Sequence, residues 1–196
     1  MQNTSIDHPR RADSFSSALF LGVMTMGYAV YAIDRYVLSA VLSPMSSALH
    51  LSSTEVGLIG SAQYIGVLCL VFFAGYLSDR YGRMRIIISG IVIFSAFTWL
   101  IGLSSSFGEA FLFRLISGFG EGMFWPTAMA AVATNYGKNK GLSLGIFYVG
   151  FDAGGAAGLS IGGISFYLTQ DWRTAFFVAP LLGLLVIGGA YAYKNW

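Results

Sequence analysis

The sequence has few charged residues, few histidines and one cysteine. Asp, Glu, Lys and Arg make up 10% of its 196 residues, whereas about a quarter are charged in an average soluble domain. The net charge of +2 gives no reason to expect a nucleic-acid partner. The lone Cys69 excludes an internal disulfide framework. His8 and His50 form no metal-ligand cluster, so we predict no metal and no other cofactor.

Apolar residues are abundant and make up 56% of the chain. They form six runs, most of which reach the roughly 20 residues that a membrane-spanning helix requires. We predict an all-α integral membrane protein, with a cytoplasmic tail at 1–14 and a bundle of six transmembrane helices at 15–194. The predicted helices cover 15–48, 53–78, 84–104, 107–136, 139–169 and 172–194.

Basic residues near the predicted helix ends alternate between the two sides of the bundle. Those at the N-terminus, in the second and fourth connections and at the C-terminus are Arg10, Arg11, Arg80, Arg83, Arg85, Lys138, Lys140 and Lys194. The other connections carry only Arg173. The positive-inside rule therefore places both termini in the cytoplasm. We expect a plasma membrane, or the inner membrane of a bacterium.

Five charged residues lie inside the predicted spans: Asp34, Arg35, Arg114, Glu121 and Asp152. A charge at bilayer depth costs between about 2.5 and more than 10 kcal/mol, so each must face a partner or water. Arg114 and Glu121 are seven positions apart, nearly two helical turns, and share one helix face. Adjacent Asp34 and Arg35 point about 100° apart. We therefore predict that Asp34 pairs with Arg114 and Arg35 with Glu121.

These pairs have two interpretations. Buried ion pairs sometimes only fix the register of packed helices. Alternatively, intramembrane ionisable groups form a transport pathway, as they do by default. In that case a substrate anion draws an arginine away from its carboxylate, and the desolvated carboxylate takes up a proton. Asp152 could be a further proton site, a partner for a basic group or a wall of the cavity.

Uncharged polar and small residues complete the candidate pathway. Tyr31, Gln63 and Tyr64 are polar enough to line it with the two arginines. In "RLISGFGEGMFWP", the glycines beside Glu121 and the following Pro126 indicate a close approach of backbone or ligand, a bend, or ordinary packing. The fifth helix carries glycines at four-residue spacing, which favours tight helix packing. These are Gly150, Gly154, Gly158 and Gly162.

The stretch "GYLSDRYGRMR" closely resembles the signature loop of the major facilitator superfamily, and "RLISGFGEG" resembles its fourth-helix motif. The resemblance covers essentially the whole chain as an N-terminal six-helix half. It implies that Gly75 permits close helix approach and that Asp79 contacts a helix end of the opposite half. The cytoplasmic gate loop implied by the resemblance contains Gly75, Asp79, Arg80, Gly82, Arg83 and Arg85.

Within this superfamily, "DRYVLS" and "DWRTAFF" look most like the anion:cation symporters, which move organic acids with protons. That likeness implies protonation at Asp34 and Glu121, and coupling or anion binding at Arg35 and Arg114. Spinster-like lysolipid or sphingolipid transporters resemble "IDRYVLSAVL" and "GFGEG" as well. We found no family counterpart for Asp152.

Three functions follow as hypotheses. The first is proton-coupled symport of a small organic anion, a carboxylate or sugar acid, by alternating access. The second is transport of a lipid or drug, and the third is a truncated or non-transporting membrane subunit. The expected partners are the lipid bilayer, the anion with its proton, and a second six-helix half from the same chain, another chain or a homodimer. The sequence shows no convincing nucleophile with a matching base, so we do not predict an enzyme.

Overall fold

The computed structural model describes residues 11–194, except for the side chains of residues 11–15, 138 and 191–194. Within that range the chain forms seven α-helices and one short 3₁₀ helix, which confirms the predicted all-helical class. Residues 1–10 of the predicted tail, with Arg10, lie outside the described residues. In chain order the elements are α1 (Arg11–Ala48), α2 (Ser53–Tyr81), α3 (Arg83–Ile101), α4 (Phe107–Asn135), the 3₁₀ helix (Gly137–Asn139), α5 (Lys140–Thr169), α6 (Arg173–Val178) and α7 (Leu181–Lys194).

Some helix boundaries differ from the predicted ones. α1 begins at Arg11, inside the segment predicted as a tail, and α2 continues to Tyr81. A single residue, Gly82, then separates α2 from α3 with a φ of 91°, a conformation that favours glycine. The last predicted helix is divided between Val178 and Leu181. Pro180 explains this break, because it has no N–H to donate and its ring clashes with the preceding turn.

Five helical segments are long and apolar enough to cross a membrane. They are Ser16–Ala48, Ser53–Tyr81, Arg83–Ile101, Lys140–Thr169 and Arg173–Ala190, the last of which joins α6 to α7. α4 is not among the five, although it has 29 residues, the same length as α2. It carries Arg114 and Glu121, both of which are buried.

Glycines set the distances between the packed helices. The four spaced glycines of α5 are buried against α1, and a Cβ on Gly154 would collide with the backbone of Ala29. A Cβ on Gly122 of α4 would lie 2.7 Å from the carbonyl oxygen of Val67 on α2. Gly120 meets α3 in the same way. Helix packing therefore accounts for the glycines flanking Glu121, and α4 lies between α2 and α3.

The bundle interior has an apolar cluster on either side of a polar middle. One cluster includes Tyr31, Ile87 and Phe124, toward the α2–α3 loop. The other includes Ile33 and Ile101, toward the opposite end. The buried charges therefore lie near mid-depth of the bundle, where desolvation is strongest.

Candidate functional site

Asp34 is buried in α1 and is held by side chains from α3 and α4. Its Oδ2 lies 3.6 Å from Nη1 of Arg114 and accepts a 2.9 Å hydrogen bond from Ser117 Oγ. Its Oδ1 accepts a hydrogen bond from Thr98 Oγ1. Arg114 also donates to the backbone carbonyl oxygens of Asp34 and Arg35, at 3.2 and 3.4 Å. Only 2% of the Arg114 side chain and 3% of the Asp34 side chain are exposed, so this pair is enclosed.

Glu121 on α4 pairs with Arg35 on α1. Its Oε2 lies 3.7 Å from Nε of Arg35, and its Oε1 accepts a hydrogen bond from the side-chain amide of Gln63 on α2. The Glu121 side chain has no exposed surface, whereas 20% of the Arg35 side chain is exposed. Both pairs predicted from the sequence are therefore present. Arg35 is the most exposed of these four charged residues.

Aromatic side chains hold the Arg35 guanidinium. Its Nη1 donates a 3.2 Å hydrogen bond to the hydroxyl of Tyr31. Its central carbon lies 4.6 Å from the ring centre of Tyr64 and 5.3 Å from that of Tyr31, within the range of cation–π attraction. Tyr31 is buried and Tyr64 is exposed. The guanidinium thus has contacts both inside the bundle and at its surface.

An open cavity of about 150 Å³ begins at this arginine. Its walls combine basic and aromatic side chains. The polar and aromatic residues that line it are Arg35, Tyr36, Ser39, Gln63, Tyr64, Arg114 and Phe151. Neither Asp34 nor Glu121 is among its lining residues. The cavity therefore presents positive charge, while the two carboxylates lie behind it.

Asp152 lies apart from the paired charges. It is exposed on α5 and lines a separate groove of about 300 Å³ with Tyr36, Phe151 and Gly155. Among the described residues it forms no ion pair. It therefore faces the surface of the bundle and does not join the four charges between α1 and α4.

The predicted gate loop occupies one end of the bundle. Arg83 Nη1 donates a 2.9 Å hydrogen bond to Thr134 near the end of α4, and Arg80 Nη1 donates a 2.7 Å bond to Tyr76. Gly75 is exposed, and a Cβ there would meet open space. Asp79, Gly82 and Arg85 are exposed as well. No contact among the described residues requires a glycine at position 75.

The sequence interpretation missed three hydroxyl residues. Thr98 and Ser117 both donate to Asp34, and their oxygens lie 3.5 Å apart. Ser95, one turn before Thr98 on α3, is buried near them. Ser117 lies three residues after Arg114 and so shares its helix face, a spacing that could have identified it. Ser and Thr in apolar runs otherwise give little signal, because most bond their own backbone.

A sequence model of the Major Facilitator Superfamily matches residues 24–194. The chain belongs to this superfamily. The resemblance recognised in the loop after α2 and in the α4 motif is thereby confirmed. Together with the apolar helices, membership makes the chain a multi-pass integral membrane protein.

Curated relatives in this superfamily include transporters of organic acids and of a lipid. The cis,cis-muconate transport protein of Acinetobacter baylyi is 31% identical over 160 residues, covering 79% of this chain and 37% of that protein. The sphingosine-1-phosphate transporter SPNS2 of Xenopus tropicalis is 28% identical over 177 residues, covering 87% of this chain and 34% of that protein. This chain thus spans little more than a third of their length. These relatives are transporters, which confirms that the chain is not an enzyme.

A solved structure supports the fold. The chain superposes with a TM-score of 0.78 on a bacterial homologue of the human lysosomal transporter spinster, in an inward-facing and unoccupied conformation. The match covers 95% of this chain and 44% of that structure, at 22% sequence identity. The likeness at that identity concerns the fold alone. It confirms the predicted helical architecture of the superfamily.

Proposed function

We propose that this chain is the N-terminal six-helix half of a secondary transporter that moves a small organic anion together with a proton. The observation that supports this most strongly is the position of Arg35. Its guanidinium lies between the fully buried Glu121 and an open cavity walled by basic and aromatic side chains. An anion in that cavity competes with Glu121 for the same positive charge.

That competition couples the anion to a proton. When a carboxylate substrate binds Arg35, the attraction between Arg35 and Glu121 weakens. A buried carboxylate without its counter-charge is far more stable in its neutral form, so Glu121 binds a proton. Release of the anion returns Arg35 to Glu121 and expels the proton. Gln63 holds one Glu121 oxygen throughout this exchange.

The second pair has a different role in this proposal. Arg114 is enclosed and bonded to Asp34 and to two backbone carbonyls, so it contributes positive potential to the cavity wall rather than a mobile contact. Asp34 is the second proton site. Tyr31 and Tyr64 orient Arg35, and Tyr64 also faces the substrate. Asp152 has no established place in this scheme, and we retain it only as a candidate third proton site.

The proposed membrane arrangement includes α4 as a sixth span. Its two buried charges are paired inside the bundle, which removes the main obstacle to crossing the bilayer. The Arg83–Thr134 contact brings the α2–α3 loop to the α4–α5 end of the bundle, and both connections are basic. The positive-inside rule favours a cytoplasmic location for this end and for both termini. We propose a plasma or inner membrane.

Transport by alternating access requires a second six-helix half. The 150 Å³ cavity is smaller than the roughly 300 Å³ at which small-molecule sites begin, as expected for one half of a site. We propose that the other half is supplied by a longer chain, a partner chain or a second copy. Exposed Asp79 and the open surface at Gly75 are the proposed contacts of the gate loop with that half.

The relatives support two cargo classes. The muconate transporter favours an organic acid, and the basic cavity agrees with it. The sphingosine-1-phosphate transporter favours an amphipathic lipid, whose phosphate would meet Arg35 equally well. We prefer the small anion because most of the residues that line the cavity in this half are polar, including Arg35, Gln63 and Arg114, whereas a lipid tail requires a mainly apolar wall.

An uptake experiment tests the proposal. The assembled transporter, with its second half present, is reconstituted in vesicles and given labelled cis,cis-muconate under an inward proton gradient. We expect accumulation that collapses when a protonophore removes the gradient. Competition by unlabelled carboxylates, and none by sphingosine-1-phosphate, supports the small-anion proposal. No uptake of muconate, together with uptake of labelled sphingosine-1-phosphate, supports the lipid alternative, and uptake insensitive to the gradient contradicts proton coupling.

A further inference from the structure

A second, much smaller pocket lies on the other side of Asp34 from the anion cavity. It has a volume of about 10 Å³ and is lined by Asp34, Ser95 and Thr98, with apolar side chains and Pro180 closing the rest. The helix break at Pro180 opens this space, since α6 ends at Val178. Its volume is close to the minimum of about 10 Å³ that a buried water occupies.

Ser95 provides the observation that indicates a ligand. Its side chain is 8% exposed, and its Oγ has no hydrogen-bond partner among the described residues. Leaving a buried hydroxyl unpaired is unfavourable, so native proteins usually provide a protein or water partner. Gly183 on α7 packs directly against this oxygen, and any larger residue there would displace it.

We propose that this pocket binds one water molecule, hydrogen-bonded to Ser95 and Asp34, and that the proton reaches Asp34 through that water. A carboxylate offers about four lone-pair sites. Thr98, Ser117 and Arg114 occupy at most three of those on Asp34, which leaves one for the water. The proposal rests on the proposed function, in which Asp34 is a proton site.

The pocket beside Ser95 is the side from which a proton can reach Asp34 without passing a positively charged residue. Arg114 and Glu121 face Asp34 from α4, and Arg35 is its neighbour on α1. The pocket walls from α3 and from the α6–α7 break carry hydroxyl and apolar groups only. A proton entering from the anion cavity would have to pass the two arginines. The Ser95 side presents no positive charge at the pocket.

The proposed step is a simple proton transfer. Bulk water supplies the proton, which arrives on the pocket water as hydronium. An O–H bond of that hydronium breaks, and a new O–H bond forms to a carboxylate oxygen of Asp34. Neutral water and a neutral carboxylic acid remain. Ser95 positions the water and does not itself exchange the proton with the substrate.

Infrared difference spectroscopy of the assembled transporter in lipid nanodiscs tests this step without any substrate. A drop in pH should produce a carboxylic-acid band, which Asp34→Asn removes. Ser95→Ala should retain the band, shift its frequency, and slow its appearance after a rapid pH change by about tenfold, the effect of losing one hydrogen bond to the water. Gly183→Ala should reproduce both changes by displacing the Ser95 hydroxyl.

Thr127→Val is the matched control. Thr127 also has a buried hydroxyl oxygen with no hydrogen-bond partner among the described residues, but it lies elsewhere on α4. The Thr127→Val substitution should leave the Asp34 band and its rate of appearance unchanged. An Asp34 band that is unaffected by Ser95→Ala and Gly183→Ala overturns the water proposal. Absence of any band attributable to Asp34 in the wild-type protein instead contradicts its role as a proton site in the proposed function.

Discussion

Replacing Glu121 with Gln is expected to abolish proton-driven accumulation while leaving exchange of anion across the membrane intact. With one proton per anion and no membrane potential, a gradient of about one pH unit supports about tenfold accumulation. Gln keeps the shape and the contact with Gln63 but cannot bind a proton. Arg35, freed from its buried counter-charge, remains available to the anion. The accumulation ratio should therefore fall to about one, as measured with labelled anion in vesicles.

Glu109→Gln is the matched control for this experiment. Glu109 lies on the same helix but is exposed in its first turn, where it accepts hydrogen bonds from Ser105. Its replacement should leave both accumulation and exchange unchanged. Full accumulation by Glu121→Gln would mean that the Arg35–Glu121 pair is only structural. Loss of exchange as well would assign Glu121 to substrate binding rather than to coupling.

Replacing Arg114 with Leu is expected to destabilise the bundle by about 3 to 5 kcal/mol, the typical result of removing one partner from a buried ion pair. The change leaves Asp34 without its counter-charge and frees two backbone carbonyl oxygens that Arg114 now binds. Thermal unfolding of the purified protein in detergent should show a large decrease in Tm.

Two further variants separate charge from packing. In Asp34→Asn with Arg114→Leu no unpaired charge remains, so this double variant should recover a substantial part of the lost stability. Arg80→Leu removes an exposed arginine that donates to Tyr76 and lies over the ring of Tyr81, and it should cost less than about 1 kcal/mol. A double variant as unstable as Arg114→Leu would show that the lost contacts, and not the buried charge, hold the helices together.

Much of the candidate site could be predicted because charges in apolar helices have few possible partners. The seven-residue spacing of Arg114 and Glu121 places them on one helix face. The adjacent Asp34 and Arg35 point in different directions, so each pairs with the oppositely charged residue on that face. The two ion pairs follow from helix periodicity and the high cost of isolated charge. Spacing could not show that the Arg114 side chain is only 2% exposed while that of Arg35 is 20% exposed, because exposure depends on the neighbouring helices.

Other features depend on three-dimensional packing that no local pattern records. Thr98 reaches Asp34 only because α3 packs against α4 near α1, and a threonine in an apolar run usually bonds its own helix. The break at Pro180 was missed because a proline inside a predicted span is often tolerated. The glycines beside Glu121 favoured packing and ligand approach equally, and only the neighbouring α2 and α3 backbones decided for packing.

In the proposed mechanism, anion entry brings a proton with it through the exchange at Arg35 and Glu121. The most direct test adds cis,cis-muconate outside vesicles that contain the assembled transporter and a pH-sensitive dye, with no gradient imposed. We predict acidification of the interior that is proportional to the anion taken up, and anion entry without acidification in Glu121→Gln. Anion entry into wild-type vesicles with no change in internal pH would contradict the account.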